Sequence, residues 1–271
     1  MFSKFLVKTK LPLSTLYSTA VTTGASKGSS KSFISSLFVP KRQIDLTKCR
    51  FEIAKRADIN STLKFIEDNF FKNEPLCKSL HLTGKKLEQP TENLIRDGIK
   101  QGMTILAREN SDDNEILGIC MNTRSCPWDG EKLEEFAKLH TDMNARKLLH
   151  IWALMAREPR LHQELGQLSI FEVGMLAVKE SHEACGLGTE LTRRSLDLGR
   201  DLNFRHARIN CTSEYSIKIA EKLGMTRVWD VFYRNIFMPD GKTPLTVPVH
   251  PHVQAAVFLT DLKKSNAIEE L

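Results

Sequence analysis

Hydrophobic residues after position 50 follow two different spacings, and the spacing alternates along the chain. Continuous or alternating apolar stretches predict strands at 51–54, 103–106, 116–121, 170–178, 207–211, 226–237 and 255–259. Apolar residues at helical spacing predict helices over 59–70, 91–100, parts of 127–168, 187–202 and 213–223. Polar residues 110–114 predict a hairpin turn, and 255–259 is expected to be an edge strand. The order of elements indicates an α/β fold.

One strand leads directly into a glycine-containing loop. Residues 170–178 are apolar except for Glu172 and Gly174, a pattern typical of a strand buried on both faces. Gly186 and Gly188 then open the next helix, where unpaired N–H groups and the helix dipole favour an anion. The N–H groups of this site would come from Cys185, Gly186, Leu187, Gly188 and Thr189. The alternative is a tight turn in which glycine serves packing only.

The loop matches neither common nucleotide fingerprint. It lacks the third glycine of GxGxxG and the Gly-Lys-Ser/Thr of a P-loop. This disfavours dinucleotides and ATP as ligands.

Composition places the chain among ordinary globular proteins. Its 271 residues are 41% hydrophobic and 27% charged, enough for one large or two modest domains. No stretch approaches the roughly 20 apolar residues that span a bilayer, so stable membrane insertion is not expected. The net charge of +6 resides in the first 44 residues, which carry seven basic residues and no acid before Asp45. Because the remainder is close to neutral, nucleic-acid binding is not expected.

The same basic segment is rich in serine and threonine. An acid-poor, hydroxyl-rich segment is typical of a mitochondrial transit peptide, and the alternative is a disordered cytosolic tail. We therefore divide the chain into a presequence or tail, 1–44, and a folded domain, 45–271.

Metal and disulfide chemistry have little support in the sequence. The six cysteines form no CxxC pair and are expected to be reduced thiols, with Cys211 a buried strand residue. His250 and His252 are two residues apart, but no further ligands accompany them, so no metal is expected and a role in a turn or substrate pocket is favoured.

Four separated motifs resemble the GCN5-related N-acetyltransferase (GNAT) superfamily, and two of them resemble its insect-type arylalkylamine N-acetyltransferases. Gly186 and Gly188 fit the last two positions of the acetyl-CoA loop Gln/Arg-x-x-Gly-x-Gly/Ala. The family's segment that follows this loop is similar to residues 210–216, Asn-Cys-Thr-Ser-Glu-Tyr-Ser, and 221–225, Glu-Lys-Leu-Gly-Met. Residues 70–76, Phe-Phe-Lys-Asn-Glu-Pro-Leu, and 251–253, Pro-His-Val, resemble the insect-type enzymes specifically.

The resemblance covers residues 51–262 and implies a fold, a reaction and a site. The fold would be a mixed sheet of about seven strands flanked by helices, with an acetyl-CoA cleft at a splayed strand pair that a bulge near Gly174 would open. The activity would be acetyl transfer from acetyl-CoA to a small primary amine, by direct attack in a ternary complex. A monomer is expected.

Residue roles follow from the same resemblance. Glu74 would be the base, and its apolar neighbours are expected to raise its pKa; the alternative is a solvated loop glutamate. The pantetheine arm would lie along Leu176, Ala177 and Val178. Thr212 and His252 would face the amine, and the proton donor to sulfur would be one of Ser213, Tyr215 and Ser216, whose serines are otherwise explained as helix caps.

One departure from the family pattern affects the cofactor loop. Glu183 stands where Gln or Arg is expected, and a carboxylate repels a pyrophosphate. Arg193 or Arg194, one helical turn on, would be the compensating charge. Two alternatives therefore stay open: a non-catalytic GNAT-like domain with weakened CoA binding, and a GNAT acting on a protein amine.

Overall fold

The computed structural model describes residues 45–110 and 115–263. The expected presequence at 1–44 and most of the expected hairpin turn at 110–114 lie outside the described residues.

Seven strands and eight α-helices make up the described part of the chain. The strands are β1 (Cys49–Ile53), β2 (Ile105–Glu109), β3 (Ile116–Ser125), β4 (Ile170–Val178), β5 (His206–Cys211), β6 (Thr226–Phe232) and β7 (Gln254–Asp261). The helices are α1 (Ile59–Phe65), α2 (Pro75–Ser79), α3 (Gln89–Lys100), α4 (Asp129–Lys138), α5 (Met143–Arg157), α6 (Leu161–Leu165), α7 (Leu187–Asp201) and α8 (Glu214–Lys222). A π-helical turn, Ile66–Phe71, extends α1.

The strands form one mixed sheet in the order β1-β2-β3-β4-β5-β7-β6. Only β4 and β5 are parallel neighbours, and every other pair is antiparallel. One face packs against α7 and α8 through residues such as Leu191 and Ile217. The other packs against α1, α3 and α5 through residues such as Leu63, Ile95 and Ile151. The α/β class and the mixed sheet of seven strands are confirmed.

The expectation that residues 255–259 form an edge strand is wrong. These residues belong to β7, which lies between β5 and β6. Ala255, Ala256, Val257 and Phe258 are all buried, because neighbours cover the strand on both edges and both faces. A continuous apolar run is the pattern of such an inner strand, whereas an edge strand needs polar positions toward solvent.

The last strand before β7 is also shorter than expected. β6 ends at Phe232 rather than at 237, since Tyr233–Asn235 forms a single 3₁₀ turn that leaves the sheet. The Tyr233 side chain is buried and turns toward the end of β5.

The pair β4–β5 separates after three residues. Pairing runs from Phe171–Ala207 to Val173–Ile209, whereas β4 continues to Val178. On the other edge of β4, the register with β3 shifts beside Gly174, where Met121 pairs with Met175 and Asn122 with Val173. A Cβ on Gly174 would lie 2.7 Å from the Met121 carbonyl oxygen, so only glycine fits this bulge. The bulge near Gly174 and the splayed strand pair are confirmed.

Among the described residues, no helix has both the length and the apolar character that crossing a membrane would require.

Candidate active site

A cavity of about 1510 Å³ opens where β4 and β5 diverge. It brings together nearly all the residues singled out in the sequence. Those that line it are Glu74, Leu176, Ala177, Val178, Cys185, Gly186, Gly188, Thr189, Thr212, Ser213, Tyr215, Ser216 and His252. Leu187 is the exception, because its side chain is buried in the core against Gly118. A loop, a strand edge and a carboxylate from distant parts of the chain therefore share one space.

The strand edge on one side of the cavity has free main-chain groups. Leu176, Ala177 and Val178 pair with β3 on one edge, and beyond Val173 the other edge has no strand partner among the described residues. An extended chain with amide groups can add to such an edge as a further strand. This geometry fits the pantetheine arm of CoA.

The loop after β4 places backbone N–H groups at the start of α7. Gly186 precedes the helix with φ of 97°, a conformation that favours glycine, and no side chain caps the helix. Gly188 lies against α8, since a Cβ there would be 3.4 Å from Ile219 Cδ1. The first-turn amides and the helix dipole suit a phosphate group at this position.

The charged residues around this loop differ from expectation. Glu183 lines the cavity, as the sequence pattern implied. Arg193, however, donates to both oxygens of Glu190 and to Asp197, and Arg194 donates to Glu190 with its guanidinium 4.0 Å from the centre of the Phe51 ring. Both arginines are held along the helix by neighbouring carboxylates, and these contacts do not favour either as the charge that compensates for Glu183.

Glu74 occupies a buried position at the start of α2. Its Oε2 accepts a hydrogen bond of 2.6 Å from the Cys77 N–H, which caps the helix, and its Oε1 accepts one of 2.8 Å from the Thr212 hydroxyl. Burial raises the pKa of Glu74 above its usual range, although these hydrogen bonds oppose the shift. The expected upward shift is confirmed, and a solvated loop glutamate is excluded.

Thr212 lies between the end of β5 and the start of α8, and Tyr233 holds it there. The Tyr233 hydroxyl donates a 2.7 Å hydrogen bond to the Thr212 carbonyl oxygen. Burial raises the pKa of Tyr233 well above its usual value, so the phenol stays protonated. Sequence reasoning missed this residue because it assigned Tyr233 to the middle of a strand.

The three candidate proton donors are placed differently. Ser213 and Ser216 cap α8 reciprocally: Ser213 Oγ accepts from the Ser216 N–H, and Ser216 Oγ accepts from the Ser213 N–H. Tyr215 is 65% exposed at the cavity, and its hydroxyl has no hydrogen-bond partner among the described residues. Both serine side chains therefore serve as helix caps, whereas the Tyr215 hydroxyl is available to a bound ligand.

His252 is buried beside Tyr215, with the two ring centres 5.0 Å apart. Its Nδ1 accepts a hydrogen bond of 3.2 Å from the Glu214 N–H, which leaves the proton of the neutral ring on Nε2. Burial lowers the pKa of His252, so the neutral form is favoured. A neutral imidazole at the cavity wall can hydrogen-bond a substrate without repelling a cationic amine.

A buried polar cluster at the base of the splay was not foreseen. Arg208 is fully buried on β5 and donates to the Met155 carbonyl oxygen at 2.6 Å and to Asn210 Oδ1 at 2.7 Å. Asn210 in turn donates to Glu172 on β4 at 3.0 Å, and burial raises the pKa of Glu172. The cluster joins the two strands where they part. Its only sequence signal is a charged residue inside an otherwise apolar strand.

No group of three or more His, Cys, Asp or Glu side chains in residues 45–110 and 115–263 is arranged to hold a metal ion. His250 and His252 lie near the cavity without further ligands.

The architecture matches solved structures over most of the chain. A mosquito arylalkylamine N-acetyltransferase-like protein, 5b, superposes with a TM-score of 0.71 at 21% identity, covering 79% of this chain and 99% of that one. Arylalkylamine N-acetyltransferase 2 from Aedes aegypti gives 0.71 at 23% identity over the same shares of each chain. This chain has the fold of the insect arylalkylamine N-acetyltransferases.

The same fold occurs in a Drosophila melanogaster polyamine N-acetyltransferase, which superposes with a TM-score of 0.69 at 18% identity and covers 79% of this chain and 99% of that one. No family model matches the chain. The GNAT-type fold that the motifs implied is therefore confirmed.

Proposed function

We propose that this protein transfers the acetyl group of acetyl-CoA to the primary amine of an arylalkylamine or another small amine. The observation that carries the proposal is the hydrogen bond between Glu74 and Thr212, 138 residues apart, in the same cavity as the unpaired edge of β4. A buried carboxylate thus faces the space beside a strand edge suited to pantetheine.

The chemistry requires a base. An alkylamine with a pKa of about 10 is almost fully protonated at pH 7, and an ammonium has no lone pair with which to attack. Glu74 accepts the proton, and its raised pKa brings it closer to the working pH, where a general base is most effective. Thr212 keeps the carboxylate oriented through its hydrogen bond.

The other residues position the two substrates. Bound acetyl-CoA would supply the activated thioester carbonyl. The edge of β4 at Leu176, Ala177 and Val178 would hold the pantetheine arm, and the N–H groups from Cys185 to Thr189 would hold the diphosphate. His252, neutral at the cavity wall, would contact the amine substrate.

A hydroxyl returns the proton to sulfur. Ser213, Tyr215 and Ser216 all line the cavity and remain the candidates. Tyr215 is favoured as the proton donor because each serine side chain already makes hydrogen bonds as a helix cap, whereas the Tyr215 hydroxyl makes none among the described residues. Cys211 takes no part as a nucleophile in this scheme, because it is fully buried and burial raises its thiol pKa to about 12.

The substrate class follows from two considerations. The structural neighbours include proteins named for arylalkylamine and for polyamine acetylation, so small amines are the class to test first. The cavity wall also offers the aromatic side chains of Phe70 and Trp152, which suit an aromatic ring.

The test is a turnover assay with acetyl-CoA and a panel of tyramine, dopamine, tryptamine, putrescine and agmatine, read by release of free CoA thiol and by product mass. Acetylation of at least one amine supports the proposal. Acetylation of protein N-termini or lysines alone would replace the small-amine assignment. Absence of both turnover and acetyl-CoA binding would favour a non-catalytic domain, the alternative that Glu183 suggests.

A further inference from the structure

Among the described residues, the cations close to the loop are already paired with carboxylates, although CoA as a ligand requires positive charge there. CoA carries a diphosphate and a 3′-phosphate and is therefore a polyanion. Glu180 and Glu183 both line the cavity there, and each adds a repelling charge. The nearby cations are paired with other residues: Lys179 donates to Glu115 at 2.6 Å, and Arg193 and Arg194 on α7 are paired with Glu190.

The opposite wall of the cleft is formed by α8, which approaches the loop closely. Ile219 lies in van der Waals range of the position where Gly188 would carry a Cβ. Lys218 and Lys222 flank Ile219 in sequence, are one helical turn apart, and both line the cavity. Two lysines therefore lie on the helix that packs against Gly188 at the start of α7, and they line the same cavity as Glu183.

These lysines are poorly compensated. Lys222 has no hydrogen-bond or ion-pair partner among the described residues. Lys218 has only Glu214, with Nζ 3.6 Å from Oε1, and its side chain is 65% exposed. Both ammonium groups are free to turn toward a ligand in the cleft.

We propose that Lys218 and Lys222 bind the phosphate groups of CoA. Their positive charge would offset the negative charge of Glu183 at the loop. This inference rests on the proposed function, since it assumes that CoA is the ligand. In this arrangement the backbone amides of the loop hold the diphosphate, and the lysines of α8 provide the positively charged side chains of the phosphate site.

The experiment is calorimetric titration of the full chain with acetyl-CoA, comparing wild type with Lys218→Glu, Lys222→Glu and the double variant. Each reversal is expected to weaken binding by roughly tenfold, the scale of one charge-assisted hydrogen bond, and the double variant by more. Lys138→Glu is the matched control, because Lys138 pairs with Glu135 on α4 and does not line the cavity. Glu183→Gln should strengthen binding severalfold.

A second ligand shows which phosphate is held. If the lysines bind the 3′-phosphate, dephospho-CoA binds the wild type more weakly and loses nothing further in Lys222→Glu. If they bind the diphosphate, the variants lose equal affinity for both ligands. Either result supports the assignment.

Variants that stay within twofold of wild type for both ligands, while Lys138→Glu behaves identically, would overturn it. Lys218→Ala and Lys222→Ala, with melting temperatures measured without ligand, provide the same comparison if the reversals perturb folding. A wild type that binds no acetyl-CoA would contradict the proposed function itself, and the inference with it.

Discussion

The two ends of the cleft are built in opposite ways. At the amine end, Glu74 is buried, and hydrogen bonds of 2.6 and 2.8 Å from Cys77 and Thr212 fix both carboxylate oxygens. At the proposed phosphate end, the groups are main-chain amides of one short loop and the two exposed lysines of α8, Lys218 and Lys222. The amine end joins segments 138 residues apart, whereas the phosphate end combines one short loop with side chains from a helix that is closer in the sequence.

The difference suggests a division of labour. Proton transfer requires a group held within hydrogen-bond reach of one atom, and burial is what tunes its pKa. Holding a flexible polyanion requires only positive potential and a few amides, which an exposed site supplies. Substitutions at the amine end should therefore change turnover and its pH dependence, whereas those at the phosphate end should change affinity.

The largest effect is expected from Glu74→Gln, which removes the base and keeps the side-chain volume. The turnover number at neutral pH should fall by about 10²- to 10⁴-fold, the usual contribution of a general base. The remaining activity should rise with pH as the amine substrate itself loses its proton. Steady-state kinetics over a range of pH, with acetyl-CoA affinity measured alongside, test this.

Two results would contradict separate roles for the two ends of the cleft. Unchanged turnover would remove Glu74 from the mechanism. A loss of acetyl-CoA affinity equal to the loss of turnover would show that the two ends are not separate in function.

A smaller effect is expected from Thr212→Val. The Thr212 hydrogen bond lowers the pKa of Glu74, so its removal raises that pKa further. Since the base must be deprotonated to act, the acidic limb of the kcat/KM profile should move to higher pH. The loss at acidic pH should be about ten- to a hundredfold, because a hydrogen bond to a charged group contributes about 1.5–3 kcal/mol. Thr212→Ser, which keeps the hydroxyl, is the control, and a profile unchanged in Thr212→Val would contradict this role.

The same contrast explains what could be predicted from the sequence. The phosphate loop is local: a buried strand, two glycines and a helix follow one another, so Gly186 and Gly188 could be placed from the pattern alone. Glu74 and Thr212 meet only in the folded chain, and no spacing rule links residues 138 apart. Resemblance to known motifs, rather than physical pattern, identified both as site residues.

Other features could not be predicted from the sequence because they depend on which residues pack together in the folded chain. The compensating charge at the loop was expected from Arg193 or Arg194, yet both pair within α7, and the lysines that we propose in their place lie on α8. The roles of Tyr233 and Arg208 depend on which carbonyl oxygens lie opposite them. The position of β7 inside the sheet was available in its unbroken apolar run, and was misjudged.

The most direct test of the central claim, that this cavity binds acetyl-CoA, is calorimetric titration of the wild-type chain with acetyl-CoA. We predict one site with micromolar affinity that weakens as salt concentration rises, because the phosphate end relies on exposed charge. Absence of binding at millimolar acetyl-CoA would contradict the account, and would leave the fold of an acetyltransferase without its cofactor.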